Sequence, residues 1–144
     1  SGPGSLYTSI LPNLLVGGIA EALRATNAYK IYVCNVATQP GETIDYTVAE
    51  HVLALEQHIG RGVFQAVVAN NHFPALDGTS NTLFVPPAPR GHAILQRYTV
   101  QYADLVDAVR PWRHDPTKLA AAILALSESE RSRTGVAPAA LVEA

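Results

Sequence analysis

Helix-like and strand-like segments alternate along this chain, and that order predicts an α/β fold on a mostly parallel sheet. Two β-rich runs carry the prediction, Lys30 to Val36 and Val63 to Ala69. Neither alternates cleanly between apolar and polar residues, which suits strands covered on both faces. Between them lies an amphipathic helical segment, so the unit reads as strand, crossover helix, strand, with right-handed connections.

Taken in order, the segment from Ser9 to Thr26 reads as helical. Ile10, Leu11, Leu14, Leu15, Ile19, Ala22 and Leu23 recur at helical spacing and describe one buried face. Ser9 suits an N-cap, and Pro12 is tolerated because it falls in the first turn. Gly17-Gly18 weakens the middle and allows a kink or two consecutive short helices, and Asn27 ends the segment. After the first strand comes a turn-rich loop, Ala37 to Tyr46. The next helix is announced by a capping box, Thr47-Val48-Ala49-Glu50. It carries a stripe of Val48, Val52, Leu55 and Ile59 and stops at Gly60.

The second strand runs into Asn70-Asn71. A long Pro- and Gly-containing stretch follows, from Phe73 to Gly91, of the kind that forms lids or stays disordered. Ile94 to Tyr102 is expected to be a third strand and Asp104 to Val109 a short helix. Asp115 caps a last helix with Pro116 at its first position and an Ala/Leu/Ile-rich body through Leu126. Residues 1–126 are expected to form one α/β unit, and 127–144, small and polar, a disordered tail.

The formal charge is −2, and the Lys and Arg residues are scattered, which gives no footprint for nucleic acid or an anionic membrane. The lone cysteine, Cys34, excludes an internal disulfide, suits a reducing compartment and sits in a strand as a core residue would. No apolar run reaches the ~20 residues of a membrane span, so a cytoplasmic location is expected. Methionine is absent, and the glycine-rich opening has no strand before it. Both features suggest part of a longer chain.

In open α/β sheets, ligands bind beyond the carboxyl ends of the strands. That rule gathers three loops on one rim. In the opening loop, Gly2 and Gly4 can take positive φ, and Ser5, Thr8 and Ser9 add hydroxyls beside a helix start. Such a loop suits a phosphate; it also suits a plain tight turn and helix cap. The second loop has Pro40-Gly41 as a tight turn. Around it Asn35, Thr38, Gln39, Glu42 and Thr43 offer groups that read a base or sugar, or that simply face water. The third loop starts at the end of the second strand, where Asn70 and Asn71, followed by His72, serve as ligand contacts or turn formers.

Glu42 and Asp45 could share a Mg²⁺ with a diphosphate. The histidines make no metal site, because His51 and His58 stand seven residues apart on one helix, about 10 Å along its axis. His72 and His92 lie on loops near the rim, His114 beside the last helix start. Arg90 follows Pro86-Pro87-Ala88-Pro89 and could fold over an anion. No catalytic residue is identified.

Two long segments carry a family resemblance. They are Gly2-Pro3-Gly4-Ser5-Leu6-Tyr7-Thr8-Ser9-Ile10-Leu11-Pro12-Asn13-Leu14-Leu15-Val16 and Tyr32-Val33-Cys34-Asn35-Val36-Ala37-Thr38-Gln39-Pro40-Gly41-Glu42-Thr43. The chain resembles the YvcK family of gluconeogenesis factors, related to the CofD-type 2-phospho-L-lactate transferases, over roughly Gly2 to Leu126 and as their C-terminal half. The resemblance implies a three-layer, doubly wound, Rossmann-like fold in a cytoplasmic protein. It further implies binding of a UDP-sugar such as UDP-N-acetylglucosamine, and a regulatory role in gluconeogenic growth, cell shape and cell-wall metabolism. The ligand-binding candidates are Gly2, Gly4, Ser5, Tyr7, Thr8, Ser9, Asn13, Asn35, Thr38, Gln39, Gly41, Glu42, Thr43, Asn70 and Asn71, with no nucleic acid or membrane partner expected and a homo-oligomer possible. The alternative is a Mg²⁺-dependent transferase that joins a nucleotide-activated phospho-acid to a deazaflavin precursor. A third reading is a half-domain with no activity of its own. One departure is local. Where the family continues after Gly-Glu-Thr with Asp-Gly, this chain has Ile44-Asp45-Tyr46. Asp45 takes a place that tolerated positive φ, so a changed loop backbone is expected.

Overall fold

A computed structural model describes residues 2–75 and 83–135. The middle of the expected Phe73–Gly91 loop and the last nine residues of the expected tail lie outside them.

The chain opens with a short π-helix, Leu6–Ile10, that runs directly into α1 (Leu11–Leu14). Then come α2 (Ile19–Ala25), β1 (Ile31–Val33), α3 (Val48–Ile59), β2 (Ala66–Asn70), α4 (Ile94–Arg97), β3 (Thr99–Ala103) and α5 (Pro116–Thr134). The three strands form one parallel sheet in the order β1-β2-β3, with Tyr32 beside Val67 and Val67 beside Val100. The α/β class and the parallel pairing are as the sequence predicts.

Strand residues alternate between two cores, one on each face of the sheet. Tyr32, Cys34, Val67 and Ala69 face α1, α2 and α3. Val33, Ala66 and Val68 face Leu119, Ala122 and Leu126 of α5. Every residue of β2 is buried, which is why the run reads as continuously apolar rather than alternating. The result is helix layer, sheet, helix layer.

The helix at α3 forms as its capping box predicts. Thr47 accepts the Ala49 N–H at 3.1 Å, and the Glu50 carboxylate takes both the N–H and the hydroxyl of Thr47. Val48, Val52, Leu55 and Ile59 are all buried, and Gly60 ends the helix at φ +75.

The Ser9–Thr26 segment is two consecutive helices, as its Gly17-Gly18 pair allows, bent by 72° across the break, where Gly18 takes φ +86 at the start of α2. Four expectations are corrected. The N-cap of the opening helical segment is Ser5, not Ser9. The bend turns Leu15, Ile19 and Ala22 outward, while Ile10, Leu11 and Leu14 stay in the core. The third strand starts at Thr99, because Ile94 to Arg97 form a single helical turn too short to show a period. Asp104 to Val109 is not a helix: the Asp107 carboxylate captures the N–H groups of Val109 and Arg110, and Val106 bridges His114. Finally, α5 continues past Leu126 to Thr134 and closes on Gly135 at φ +69. Its polar end is an exposed helix face rather than a frayed tail.

No single described helix is long and apolar enough to cross a membrane.

Candidate functional site

The opening loop lies against the carboxyl end of β1. Gly2 sits at φ +90 with its α-carbon so near the strand that a β-carbon there would stand 2.8 Å from the Val33 carbonyl oxygen. Only glycine allows that approach. Gly4 does not take positive φ, contrary to expectation; its lack of a side chain instead leaves room for Ser9, whose Cβ would be 3.2 Å from a β-carbon there.

Ser5 is the junction of the site. Its hydroxyl accepts the Thr8 N–H at 3.1 Å and the Thr8 hydroxyl at 2.6 Å, and donates to Glu42 Oε2 at 2.7 Å. That last bond ties the opening loop to the second loop across 37 residues. A second tie lies alongside, where the hydroxyls of Tyr7 and Tyr46 meet at 2.9 Å with their rings edge to face. The bond to Tyr46 and burial push the Tyr7 hydroxyl up to about 12, so it stays protonated. Thr8, Ser9 and Asn13 are exposed, with Asn13 Nδ2 donating to the Ser9 carbonyl at 2.7 Å.

The second loop is built on the turn its sequence predicts. Glu42 and Thr43 donate their N–H groups to the Gln39 carbonyl at 3.1 and 3.0 Å, and Gly41 takes φ +79. Thr43 is buried and spends its hydroxyl on the Gln39 N–H at 2.9 Å, so it braces the loop rather than facing a ligand. Thr38 clasps the Leu83 carbonyl through both its N–H and its hydroxyl. Asn35 Oδ1 and Gln39 Oε1 are buried acceptors with no partner among the described residues. Asp45 holds φ +67, the only described non-glycine residue in that region. The loop therefore keeps a left-handed step at Asp45 instead of losing it. Glu42 and Asp45 are the carboxylates on this loop, and among the described residues no three His, Cys, Asp or Glu cluster to hold a metal.

Asn70 proves to be a structural cap. It is 2% exposed, its Oδ1 accepts the N–H groups of His72 and Leu105, and its Nδ2 donates to the His72 carbonyl. Both lone pairs of its amide oxygen and one of its two N–H donors are thus in use. Asn71 is exposed, with its N–H on the Ala103 carbonyl. The rim thus gathers the opening and second loops tightly, while the Asn70-Asn71 corner joins them mainly as scaffold.

A fourth segment reaches this rim that sequence reasoning missed. Beyond β3 the chain turns back between Val106 and His114, and His114 Nε2 lies 3.1 Å from the Cys34 carbonyl, next to Asn35. Arg110, Trp112 and Arg113 ride on this turn, exposed or half-exposed. The signal was Asp107, whose spacing to Arg110 favours a side-chain-capped turn over a helix.

The family model described as 2-phospho-L-lactate transferase CofD matches residues 1–82, the stretch that holds both loops. The gluconeogenesis factor of Bacillus subtilis is 59% identical over 70 residues, covering 49% of this chain and 22% of its own. A Thermotoga maritima relative is 37% identical over 134 residues, covering 88% of this chain and 42% of its own. A crystal structure of a UPF0052 family member from Bacillus halodurans superposes with a TM-score of 0.76 at 36% identity, over 85% of this chain and 41% of that one. The chain spans less than half the length of each of these relatives. With the family model on more than half of its residues and both rim loops inside the match, this chain belongs to the CofD family, among relatives named gluconeogenesis factors.

Proposed function

We propose that the rim binds a nucleotide sugar of the UDP-N-acetylglucosamine kind through its diphosphate, and that the chain serves as a ligand-responsive regulator in gluconeogenic growth, cell shape and cell-wall metabolism. The observation that carries this reading is the Ser5–Glu42 bond, which holds a hydroxyl-rich helix start and an amide-rich loop side by side. The first supports phosphate recognition through N–H and hydroxyl donors. The second supplies amide groups of the kind that read a base or sugar. A Mg²⁺ fits here only as an ion shared between Glu42, Asp45 and the ligand's phosphates, since these two carboxylates alone leave most of its coordination to the ligand and water.

Titration calorimetry with UDP-N-acetylglucosamine, with and without Mg²⁺, tests the reading. Saturable heat that Thr8→Ala and Asn35→Ala each weaken about tenfold, or ~1.4 kcal/mol, supports it. Binding indifferent to both substitutions places the site elsewhere.

The second reading is a phospho-acid transferase, as the family's description suggests. Its support is the hydroxyl chain from Thr8 through Ser5 to the Glu42 carboxylate. A carboxylate at the end of such a chain is placed to accept a proton from an attacking alcohol. Binding of a guanosine-activated phospho-acid in place of the UDP-sugar would favour this reading.

A further inference from the structure

Two phenylalanines stand on the rim where the second and third loops meet. Phe73 comes just after the Asn70-Asn71 corner that ends β2. Phe84 belongs to a return segment fastened to the start of the second loop. There the Thr38 N–H and hydroxyl donate to the Leu83 carbonyl at 2.7 and 3.1 Å, Phe84 bridges Ala37, and the Val85 N–H donates to the Val36 carbonyl at 3.0 Å. The two rings meet edge to face, with centroids 5.8 Å apart and planes at 67°.

In such a pair one ring offers its edge and the other a face, so at least one face of Phe73 lies off Phe84. Phe73 is 45% exposed, whereas Phe84 is half-buried. The Phe73 ring is therefore held by a neighbour without being withdrawn from water. That suits a contact surface better than a core residue. The loop beside it, from Asn35 to Asp45, is rich in amides and hydroxyls and has no aromatic side chain. A nucleobase needs both kinds of partner: polar groups for its edge and a flat apolar ring for its face.

We propose that Phe73 is the surface on which the nucleobase of the ligand stacks, with Phe84 packed against it. The assignment rests on the nucleotide-sugar reading of the rim and divides that site in two. The diphosphate lies at the opening loop and the base at the Phe73–Phe84 corner.

Titration calorimetry of the whole chain with UDP-N-acetylglucosamine, UDP and inorganic pyrophosphate tests it. Phe73→Ala, at a position exposed enough to leave the fold intact by circular dichroism, weakens both uridine compounds about tenfold and leaves pyrophosphate unchanged. Thr8→Ala weakens all three. Phe73→Tyr keeps the original affinity, while Phe73→Leu, apolar but without a π-face, loses as much as Phe73→Ala. UDP binding indifferent to Phe73→Ala overturns the stack and leaves the nucleotide-sugar reading standing. A loss confined to UDP-N-acetylglucosamine overturns it as well, because the ring over Phe73 is then the sugar. Full affinity in Phe73→Leu reduces the contact to plain apolar packing and overturns stacking. An unsubstituted chain that binds neither uridine compound overturns both readings.

Discussion

The Ser5 hydroxyl donates to Glu42 Oε2 at 2.7 Å, joining two loops that the sequence separates by 37 residues. Hydrogen bonds to charged groups contribute about 1.5–3 kcal/mol, less when half-exposed, so a coupling near ~1 kcal/mol is expected here. A double-mutant cycle with Ser5→Ala and Glu42→Ala, read by urea unfolding, measures it. Ser5→Ala alone should cost about 1 kcal/mol more than Glu42→Ala, because it also removes the cap on the Thr8 N–H. Additive single effects would mean that the two loops do not touch in solution.

Asp45 occupies left-handed backbone at φ +67. An L side chain there costs about 1–2 kcal/mol, eased for Asp by its short polar group. Asp45→Gly removes the strain at some cost in chain entropy, for a net gain of up to about 1 kcal/mol. Asp45→Val adds β-branching to the same φ and should destabilise by at least ~1 kcal/mol. The midpoints of urea unfolding should rank Gly above Asp above Val. Equal midpoints would show that the loop relaxes out of this conformation.

Asn70 and Asn71 are adjacent and chemically identical, yet the fold uses them differently. Asn70→Ala leaves the N–H groups of Leu105 and His72 without acceptors, at a cost of about 2–3 kcal/mol. Asn71→Ala, at an exposed position, should change stability by no more than about 0.5 kcal/mol. Thermal unfolding of the two variants separates the roles. A mild Asn70→Ala would contradict the cap.

Much of this architecture was legible because its signals are local. The capping box at Thr47, the unalternating runs of β1 and β2, and the Pro40-Gly41 turn each state their own geometry within a few residues. The reading failed where tertiary context decided the outcome. Apolar period alone placed Leu15 and Ile19 in the core, but a glycine pair can redirect a helix, and only the packed structure shows which way. Ile94 is fully buried within a four-residue helix, a length at which helix and strand patterns coincide. The site's residue types were visible, whereas the bond between Ser5 and Glu42 was not, because a long-range hydrogen bond leaves no mark in spacing. Asn70 and Thr43 looked like ligand groups for the same reason: sequence gives the donors and acceptors but not whether the protein has already used them.

One buried and one half-buried histidine set the direction of the pH dependence. His51 is fully buried, and its Nδ1 lies 2.9 Å from the Thr47 carbonyl, which can only accept. The neutral ring therefore carries its proton on Nδ1 and leaves Nε2 without a partner among the described residues. Burial holds the His51 pKa below its ordinary 6.5, against smaller opposing effects of the Thr47 carbonyl and Glu50. Burial does the same to His114, opposed by its contact with the Cys34 carbonyl. The unfolded chain takes up protons near pH ~6.5 while the folded chain does not, so the unfolded state binds more protons and stability rises with pH. The stability is complete above about pH 7 and falls as pH drops below about 6.5, by up to ~1.4 kcal/mol per unit for each ring, until the folded-state pKa is reached. Urea unfolding at intervals between about pH 5 and 8 should trace that decline, and His51→Gln should flatten part of it. An unchanged slope in His51→Gln would assign the effect to His114 or to the carboxylates instead.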